Sequence, residues 1–189
     1  MCNEYQMILP FDEVIEALKA TGTAISGPAP NFGPTLSIRI GDFAPVVMVV
    51  DGQLQAPMTR WAWKGPGGKP VFNFRSDGRT FGGSTRCIIP ATGFYEFTDA
   101  QPGEKRKTKW LFNLAGQPLF WIAGIVKDEA FSMLTAPPGP DVAPYHDRQI
   151  VVLPTSAAND WLSLTRPEAE VLQPLPAGAL AVSRIYPPA

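Results

Sequence analysis

The chain has 189 residues, 45% hydrophobic and 17% charged, so it can bury a globular core and is not expected to be intrinsically disordered. Its 21 prolines and 17 glycines predict many turns, short elements and few helices. The net charge of −1 excludes a general basic coat for nucleic acid, so any contact with DNA must use a local basic groove.

The cysteine and histidine content narrows the chemistry further. Cys2 and Cys87 are too few for a disulfide scaffold. Together with the single histidine, His146, they cannot supply the four ligands of a usual zinc site, so we expect no metal and no other cofactor. No charged and apolar leader is evident, and the longest apolar run, 43–50, is shorter than the ~20 residues of a membrane span. We therefore expect a cytoplasmic protein with no membrane association, folded as one domain over residues 1–189.

The first half of the chain predicts one helix and a hairpin. Apolar residues at positions 11, 14, 15 and 18 form an amphipathic helical stripe, which Thr21-Gly22 ends. Asp12 and Glu13 lie in its first turn, where negative charge suits the helix dipole. Asp51-Gly52 separates two β-prone runs, 46–50 and 54–63, and this dipeptide is typical of a two-residue hairpin turn.

The second half predicts a sheet followed by two short helices. Further strand candidates are 36–40, 71–75, 87–89, 94–98, 110–114, 119–126, 131–135, 149–153 and 180–185. Their short spacing indicates a closed or strongly curved, mainly antiparallel sheet. Residues 156–162 predict a short helix, and Thr165 with Glu168 predicts a capping box for a second helix that ends near residue 172.

Three side chains could carry chemistry. If Met1 is removed, Cys2 has an α-amine and a thiol two carbons apart, which can close a thiazolidine ring on an aldehyde. Glu96 lies among aromatic residues, on the same strand face as Phe94, and is either a buried acceptor or an acid/base of raised pKa. His146 has an ordinary pKa near neutrality, and its position alone leaves a structural and a catalytic role open.

Cys87 is expected to pack in the core. For four further residues, the sequence leaves a structural role and a ligand-binding role open. Asn73 and Arg75 share a strand face, either as a solvated edge or as anchors for a polar ligand. Trp61 and Trp63 are either packing residues or platforms on which a base stacks.

Four motifs occur in the order seen in the SOS-response-associated peptidase (SRAP) family, from Cys2 to about residue 153. They are Met1-Cys2, Asn73-Phe74-Arg75, the run 86–97 (RCIIPATGFYEF) and His146-Asp147-Arg148. The resemblance implies a compact α+β fold with a barrel-like, mainly antiparallel sheet and a few short flanking helices. It also implies recognition of abasic sites in single-stranded DNA and their covalent capture by the N-terminal cysteine.

The resemblance also implies roles for single residues. Cys2 would be the nucleophile, with Asn73, Glu96 and His146 lining its pocket, and Arg75, Arg79 and Arg148 would contact phosphates. The chain departs from the family where Cys2-Asn3-Glu4 replaces the usual Cys-Gly-Arg. Its loop 64–70 lacks the family's tryptophan pair, so base stacking is expected either to be weaker or to use Trp61 or Trp63. Phe97 stands where the family often has tryptophan.

These features predict a monomeric abasic-site processing protein, associated with the nucleoid when bound to DNA. It would form a thiazolidine crosslink that shields the lesion, an activity of lyase type. One alternative is a cysteine peptidase, or a self-processing thiol hydrolase, that uses Cys2 and His146. Another is a non-catalytic binder of single-stranded DNA that depends on Arg75, Arg79 and Arg148.

Overall fold

A computed structural model describes residues 2–188 and consists mainly of short strands. The strands are β1 (Glu4–Met7), β2 (Thr35–Arg39), β3 (Phe43–Pro45), β4 (Val47–Val50), β5 (Gln53–Gln55), β6 (Met58–Trp61), β7 (Trp63–Lys64), β8 (Pro70–Val71), β9 (Asn73–Arg75), β10 (Thr85–Ala91), β11 (Gly93–Thr98), β12 (Thr108–Leu114), β13 (Phe120–Lys127), β14 (Ala130–Ala136), β15 (Gln149–Ile150), β16 (Val152–Leu153) and β17 (Leu180–Tyr186). The helices are α1 (Phe11–Lys19), α2 (Ala158–Ser163) and α3 (Glu168–Val171), with 3-10 turns at Pro66–Gly68 and Thr155–Ala157.

Two main sheets curl into a half-barrel, which confirms the predicted α+β fold, its curved sheet and its few short helices. The five-stranded sheet has the order β17-β12-β11-β1-β2. The ten-stranded sheet follows β3-β6-β14-β13-β10-β4-β5, with β9 and β15 added at β14 and β16 added at β13. The pairing of β14 with β6 and β9 is parallel, and the other pairs are antiparallel. The pair β7-β8 forms a separate ribbon.

The strands β10 and β13 pair from Thr85 opposite Val126 to Ala91 opposite Phe120 and form part of the core. Both strands are buried on both faces at their centres, which explains why their sequences are continuous apolar runs. Cys87 is completely buried there, so its predicted packing role is confirmed. Gly124 opposes Cys87, and a Cβ atom at Gly124 would lie 2.6 Å from Ile89 Cδ1 and 2.9 Å from Cys87 Sγ. Only glycine allows this close approach.

The predicted helix and hairpin are both present. In α1 the buried side chains are Phe11, Val14 and Leu18, the apolar stripe that the sequence showed. The hairpin β4-β5 turns at Asp51 and Gly52, whose φ angles are +50° and +76°. Both residues adopt the left-handed backbone conformation, which a two-residue turn that matches the twist of the strands requires.

Three predicted strands are divided in the structure because their halves have different partners. The run 54–63 is interrupted at Pro57, which has no N–H to donate, and at Ala62, whose φ is +82°. The run 71–75 is split between β8 and β9, which belong to different sheets. The run 149–153 is divided at Val151, whose N–H donates to Leu134 O.

The predicted capping box is wrong. The helix α3 forms, but Pro167 is its N-cap residue and no side chain caps it. Thr165 Oγ1 lies 2.5 Å from Asp160 Oδ1, and Glu168 Oε1 accepts a 2.6 Å hydrogen bond from the backbone N–H of Phe81. Tertiary partners therefore engage both side chains that the local motif would have paired. Among the described residues, no helix is long and apolar enough to span a membrane.

Candidate active site

Cys2 lies just before β1 and is held through its backbone. Its N–H donates a hydrogen bond to the Glu96 carboxyl group, and its carbonyl accepts a 2.7 Å hydrogen bond from Asn73 Nδ2. These partners come from β11 and β9, which belong to the two main sheets. Cys2 is only 1% exposed. The two sheets therefore fix the position of this residue, although Asn73 and Glu96 are far from it in sequence.

The Cys2 thiol is protonated at neutral pH. Burial raises its pKa, and the negative charge of Glu96 acts in the same direction. The sulfur lies 3.3 Å from the backbone oxygen of Glu4, to which the S–H donates. The structure therefore presents a thiol and not a preformed thiolate.

Glu96 is a buried carboxyl group suited to proton transfer. Alternation along β11 directs Phe94 and Glu96 to the interior, as predicted, and leaves Glu96 only 1% exposed. Burial raises the pKa of Glu96 to about 7, although the hydrogen bond from the Cys2 N–H acts in the opposite direction. A carboxyl group with this pKa can both donate and accept a proton near neutral pH.

His146 follows the proline-rich loop after β14, and its backbone N–H donates to Val142 O. Its Nδ1 lies 2.7 Å from Asp147 Oδ1 and 3.1 Å from the backbone nitrogen of Arg148. Burial lowers the pKa of His146, and the charge of Lys107 adds to this effect, whereas Asp147 opposes it. The net direction favours a neutral imidazole that can accept a proton.

A cavity of about 340 Å³ brings Glu96 and His146 together, and Cys2 adjoins it through its contact with Glu96. The cavity is lined by Asn3, Glu96, Phe97, Lys107 and His146. The sequence predicted three of these residues but missed Lys107, for which the basic run 105–107 was the available signal. No group of three or more His, Cys, Asp or Glu side chains within residues 2–188 could hold a metal ion.

Glu4, an anion where the family usually has arginine, is neutralised by its neighbours. Lys109 Nζ lies 2.8 Å from Glu4 Oε1, and the Ser37 hydroxyl donates to the same oxygen at 2.7 Å. Although burial raises it, these contacts hold the pKa of Glu4 below its ordinary value. The Lys109 ammonium also lies 3.8 Å from the centre of the Tyr95 ring. Glu4 therefore fastens β1 to β2 and β12, and its charge is compensated within the protein.

The three arginines that are expected to contact phosphates differ in their exposure to solvent. Arg75 and Arg79 are exposed, and the guanidinium carbon of Arg79 lies 4.8 Å from the centre of the Phe74 ring. The Arg148 side chain is 11% exposed; it pairs with Asp77 at 2.6 Å and donates to Thr135 O at 2.8 Å. The guanidinium of Arg148 is therefore bound to protein groups and holds the loop after β9 against β14, and its phosphate contact stays a prediction.

A model of the SOS response associated peptidase (SRAP) family matches residues 1–187. The chain belongs to the SRAP family. Two Bacillus subtilis proteins, named abasic site processing proteins YobE and YoqW, are each 25% identical over 201 residues. The alignments cover 93% of this chain and 88% and 86% of those proteins.

Solved structures show the same fold. A phage-related protein from Bordetella bronchiseptica is 21% identical with a TM-score of 0.74, and the match covers 98% of this chain and 94% of that one. A protein from Bacteroides thetaiotaomicron is 17% identical with a TM-score of 0.70, over 97% and 92% of the two chains. At these identities the likeness shows the SRAP fold alone.

The tryptophans expected to stack on bases in this SRAP domain are packing residues. Trp61 is completely buried, donates its indole N–H to Phe72 O at 2.9 Å and stacks on Phe131 at 6.1 Å between ring centres. Trp63 is 6% exposed and packs beside Phe74. The burial of both rings supports the packing interpretation, and base stacking at either tryptophan stays a prediction. Phe97, which is partly exposed at the cavity, is the expected aromatic residue that the structure leaves accessible.

Proposed function

We propose that this SRAP-family chain processes abasic sites in single-stranded DNA by covalent capture at Cys2. The observation that carries the proposal is the hydrogen bond between the Cys2 backbone nitrogen and Glu96, a carboxyl group with a pKa of about 7. Once Met1 is removed, that nitrogen becomes the α-amine. The names of the Bacillus subtilis relatives support the same substrate.

The first step is the opening of the sugar ring. An abasic deoxyribose is mostly a closed hemiacetal, and its aldehyde appears when a proton moves between the anomeric hydroxyl and the ring oxygen. Glu96 can make this transfer because its pKa allows both protonation states near neutrality.

The amine is the better first nucleophile. The reference pKa of an α-amine is ~7.7–8.0, whereas that of lysine is ~10.4, so far more of the α-amine is unprotonated at neutral pH. Its nitrogen bonds to the aldehyde carbon and gives a carbinolamine. Loss of water, assisted by Glu96 as acid and by neutral His146 as acceptor, leaves an imine.

The thiol then traps the imine. The Cys2 sulfur bonds to the imine carbon and its proton passes to the nitrogen, which closes the five-membered thiazolidine ring. The overall reaction releases one water molecule and needs no oxidant or metal. The thiol supplies the proton that the nitrogen takes up, so the step balances as the sulfur releases that proton and attacks the imine carbon.

Other residues position the reactants. Asn73 holds the Cys2 carbonyl, Phe97 offers a ring to a neighbouring base, and Arg75 and Arg79 can contact the flanking phosphates. A cysteine peptidase that uses Cys2 and His146 is less well supported, since burial raises the pKa of the thiol that such a mechanism must ionise.

The test is a denaturing gel of the protein mixed with a single-stranded oligonucleotide that contains one abasic site. The wild type should give a slow-migrating covalent band, whose mass equals protein without Met1 plus DNA minus one water. Cys2→Ala should give no such band, whereas the matched control Cys87→Ala, at a cysteine buried in the core, should retain it. A band of equal yield from Cys2→Ala would show that the nucleophile is another group.

Substrate and processing controls complete the design. A tetrahydrofuran analogue of the abasic site, which cannot open to an aldehyde, should give no band with any variant. The mass of His146→Ala, made in cells with normal methionine aminopeptidase, separates self-processing from removal by the host. Retention of Met1 only in this variant would indicate self-processing.

A further inference from the structure

A loop beside the cavity carries three consecutive cations. Residues 99–107, here called the basic loop, join β11 to β12 and contain Lys105, Arg106 and Lys107, all exposed. None of the three takes part in a salt bridge within residues 2–188. The loop also contains Asp99 and Glu104, so its net charge is +1, and the three cations are consecutive at its end next to β12.

The basic loop is anchored at several points. Thr108 Oγ1 donates to Asp99 O at 3.0 Å and closes its base. The Tyr186 hydroxyl, on β17, donates to Glu104 Oε2 at 2.6 Å, and the guanidinium carbon of Arg106 lies 5.9 Å from the centre of the Tyr186 ring. These contacts hold the basic loop against the five-stranded sheet. Binding of a ligand by the three cations therefore costs less conformational entropy than binding by an unanchored tail.

The basic loop also reaches the proposed chemical centre. Lys107 lines the cavity together with Glu96 and His146, and its charge contributes to the lowered pKa of His146. A polyanion whose reacting sugar lies in this cavity would therefore lie beside Lys107, and Lys105 and Arg106 directly precede Lys107 in the same loop. Lysine ammonium groups contact phosphates as point charges, without the directional geometry of base recognition.

We infer that the basic loop is a second phosphate-binding surface, which contacts the backbone of single-stranded DNA in addition to Arg75 and Arg79. The inference rests on the proposed function for the class of its ligand. Such contacts are independent of sequence and release counterions, with a slope of log K against log salt of about −0.7 per phosphate on a single strand. Three contacts predict a contribution of about −2 to that slope.

The experiment measures equilibrium binding at salt concentrations between about 50 and 200 mM. The ligand is an undamaged single-stranded oligonucleotide, which has no abasic aldehyde and therefore gives no covalent product. Lys105→Gln/Arg106→Gln/Lys107→Gln should reduce the magnitude of the slope by about 2, so the wild type loses roughly twentyfold more affinity than the variant over this range. Lys105→Gln/Lys107→Gln keeps the Arg106–Tyr186 contact and should reduce it by about 1.4. The matched control is Lys19→Gln/Arg60→Gln/Arg166→Gln, which removes three exposed cations that lie outside the cavity and outside loop 64–70.

Unchanged slopes in folded loop variants would overturn the inference, and so would an equal reduction in the control, which would indicate a general charge effect. Thermal unfolding of each variant verifies that it is folded. The covalent gel assay is read separately. If the wild type gives no covalent band but the loop variants have smaller salt slopes, the proposed function is refuted and the inference is supported. If the wild type gives a covalent band but the loop variants have unchanged slopes, the inference is refuted and the proposed function is supported.

Discussion

Glu96→Gln keeps the shape of the side chain and removes its ionisation, so it isolates the raised pKa. The carboxyl pKa is about 7 in the folded chain, compared with an ordinary value of 4.5. A pKa difference of one corresponds to about 1.36 kcal/mol, so the difference between these two values is worth about 3 kcal/mol. Because Glu96 is 1% exposed, little of this free energy is screened by solvent.

The sign follows from proton linkage. Between pH 4.5 and about 7 the folded state holds a proton on Glu96 that the unfolded state has lost. The stabilisation is therefore complete below the unfolded pKa and is lost as the pH rises through the folded value. The free energy of unfolding of Glu96→Gln, minus that of the wild type, should rise by about 3 kcal/mol from about pH 4 to pH 8.

The assay is urea unfolding over this pH range, on chains that retain Met1 as verified by intact mass. Glu13→Gln, at an exposed position in the first turn of α1, is the control and should run parallel to the wild type. A constant difference between Glu96→Gln and the wild type at all pH values would refute the raised pKa. The crosslinking rate of Glu96→Gln should also fall, by about a hundredfold or more, as for loss of a general acid/base.

Three further predictions concern the support of the site. Asn73→Ala should slow crosslinking about fivefold, because the 2.7 Å hydrogen bond to the Cys2 carbonyl contributes about 1 kcal/mol; an unchanged single-turnover rate would remove this positioning role. Lys109→Met should reduce the free energy of unfolding by about 3 kcal/mol, because the Glu4 carboxylate loses its ammonium partner. In a double-mutant cycle, adding Glu4→Gln should recover part of this loss, and additive effects would show that the pair is not coupled. Trp61→Phe should cost about 1–3 kcal/mol in urea unfolding, because Phe72 O loses its donor, and should leave the salt dependence of DNA binding unchanged; a reduced slope would restore a DNA contact.

Local patterns were sufficient for much of the fold. The stripe in α1, the Asp51-Gly52 turn and the alternation that directs Glu96 inward depend on neighbouring residues, and all three are present in the structure. The capping box does not form because the Thr165 hydroxyl bonds to Asp160 and the Glu168 carboxylate accepts from the N–H of Phe81. A local motif cannot indicate such competition, since it carries no information on which tertiary groups will reach its side chains.

The candidate site was predicted in kind but not in accessibility. The motif at Arg148 identified a cation near His146, and only the folded chain shows that Asp77 and Thr135 engage its guanidinium. The sequence leaves packing and base stacking open for Trp61 and Trp63, and the structure buries both rings. Conversely, the basic run 105–107 does not by itself distinguish Lys107 from its neighbours, because its position at the cavity depends on the turn of the folded loop.

The sequence by itself determined the groups available for chemistry: an aminothiol after loss of Met1, one glutamate among aromatics, one histidine, and an order of motifs typical of one family. Only the tertiary structure decided how they act. Two sheets meet at Cys2 and place its nitrogen on Glu96 and its carbonyl on Asn73. Burial by that packing raises the pKa of Glu96 to about 7 and keeps the thiol protonated. The physical reason is that pKa values depend on solvent exclusion and on charges brought near by folding, and neither is a property of a residue and its neighbours in sequence.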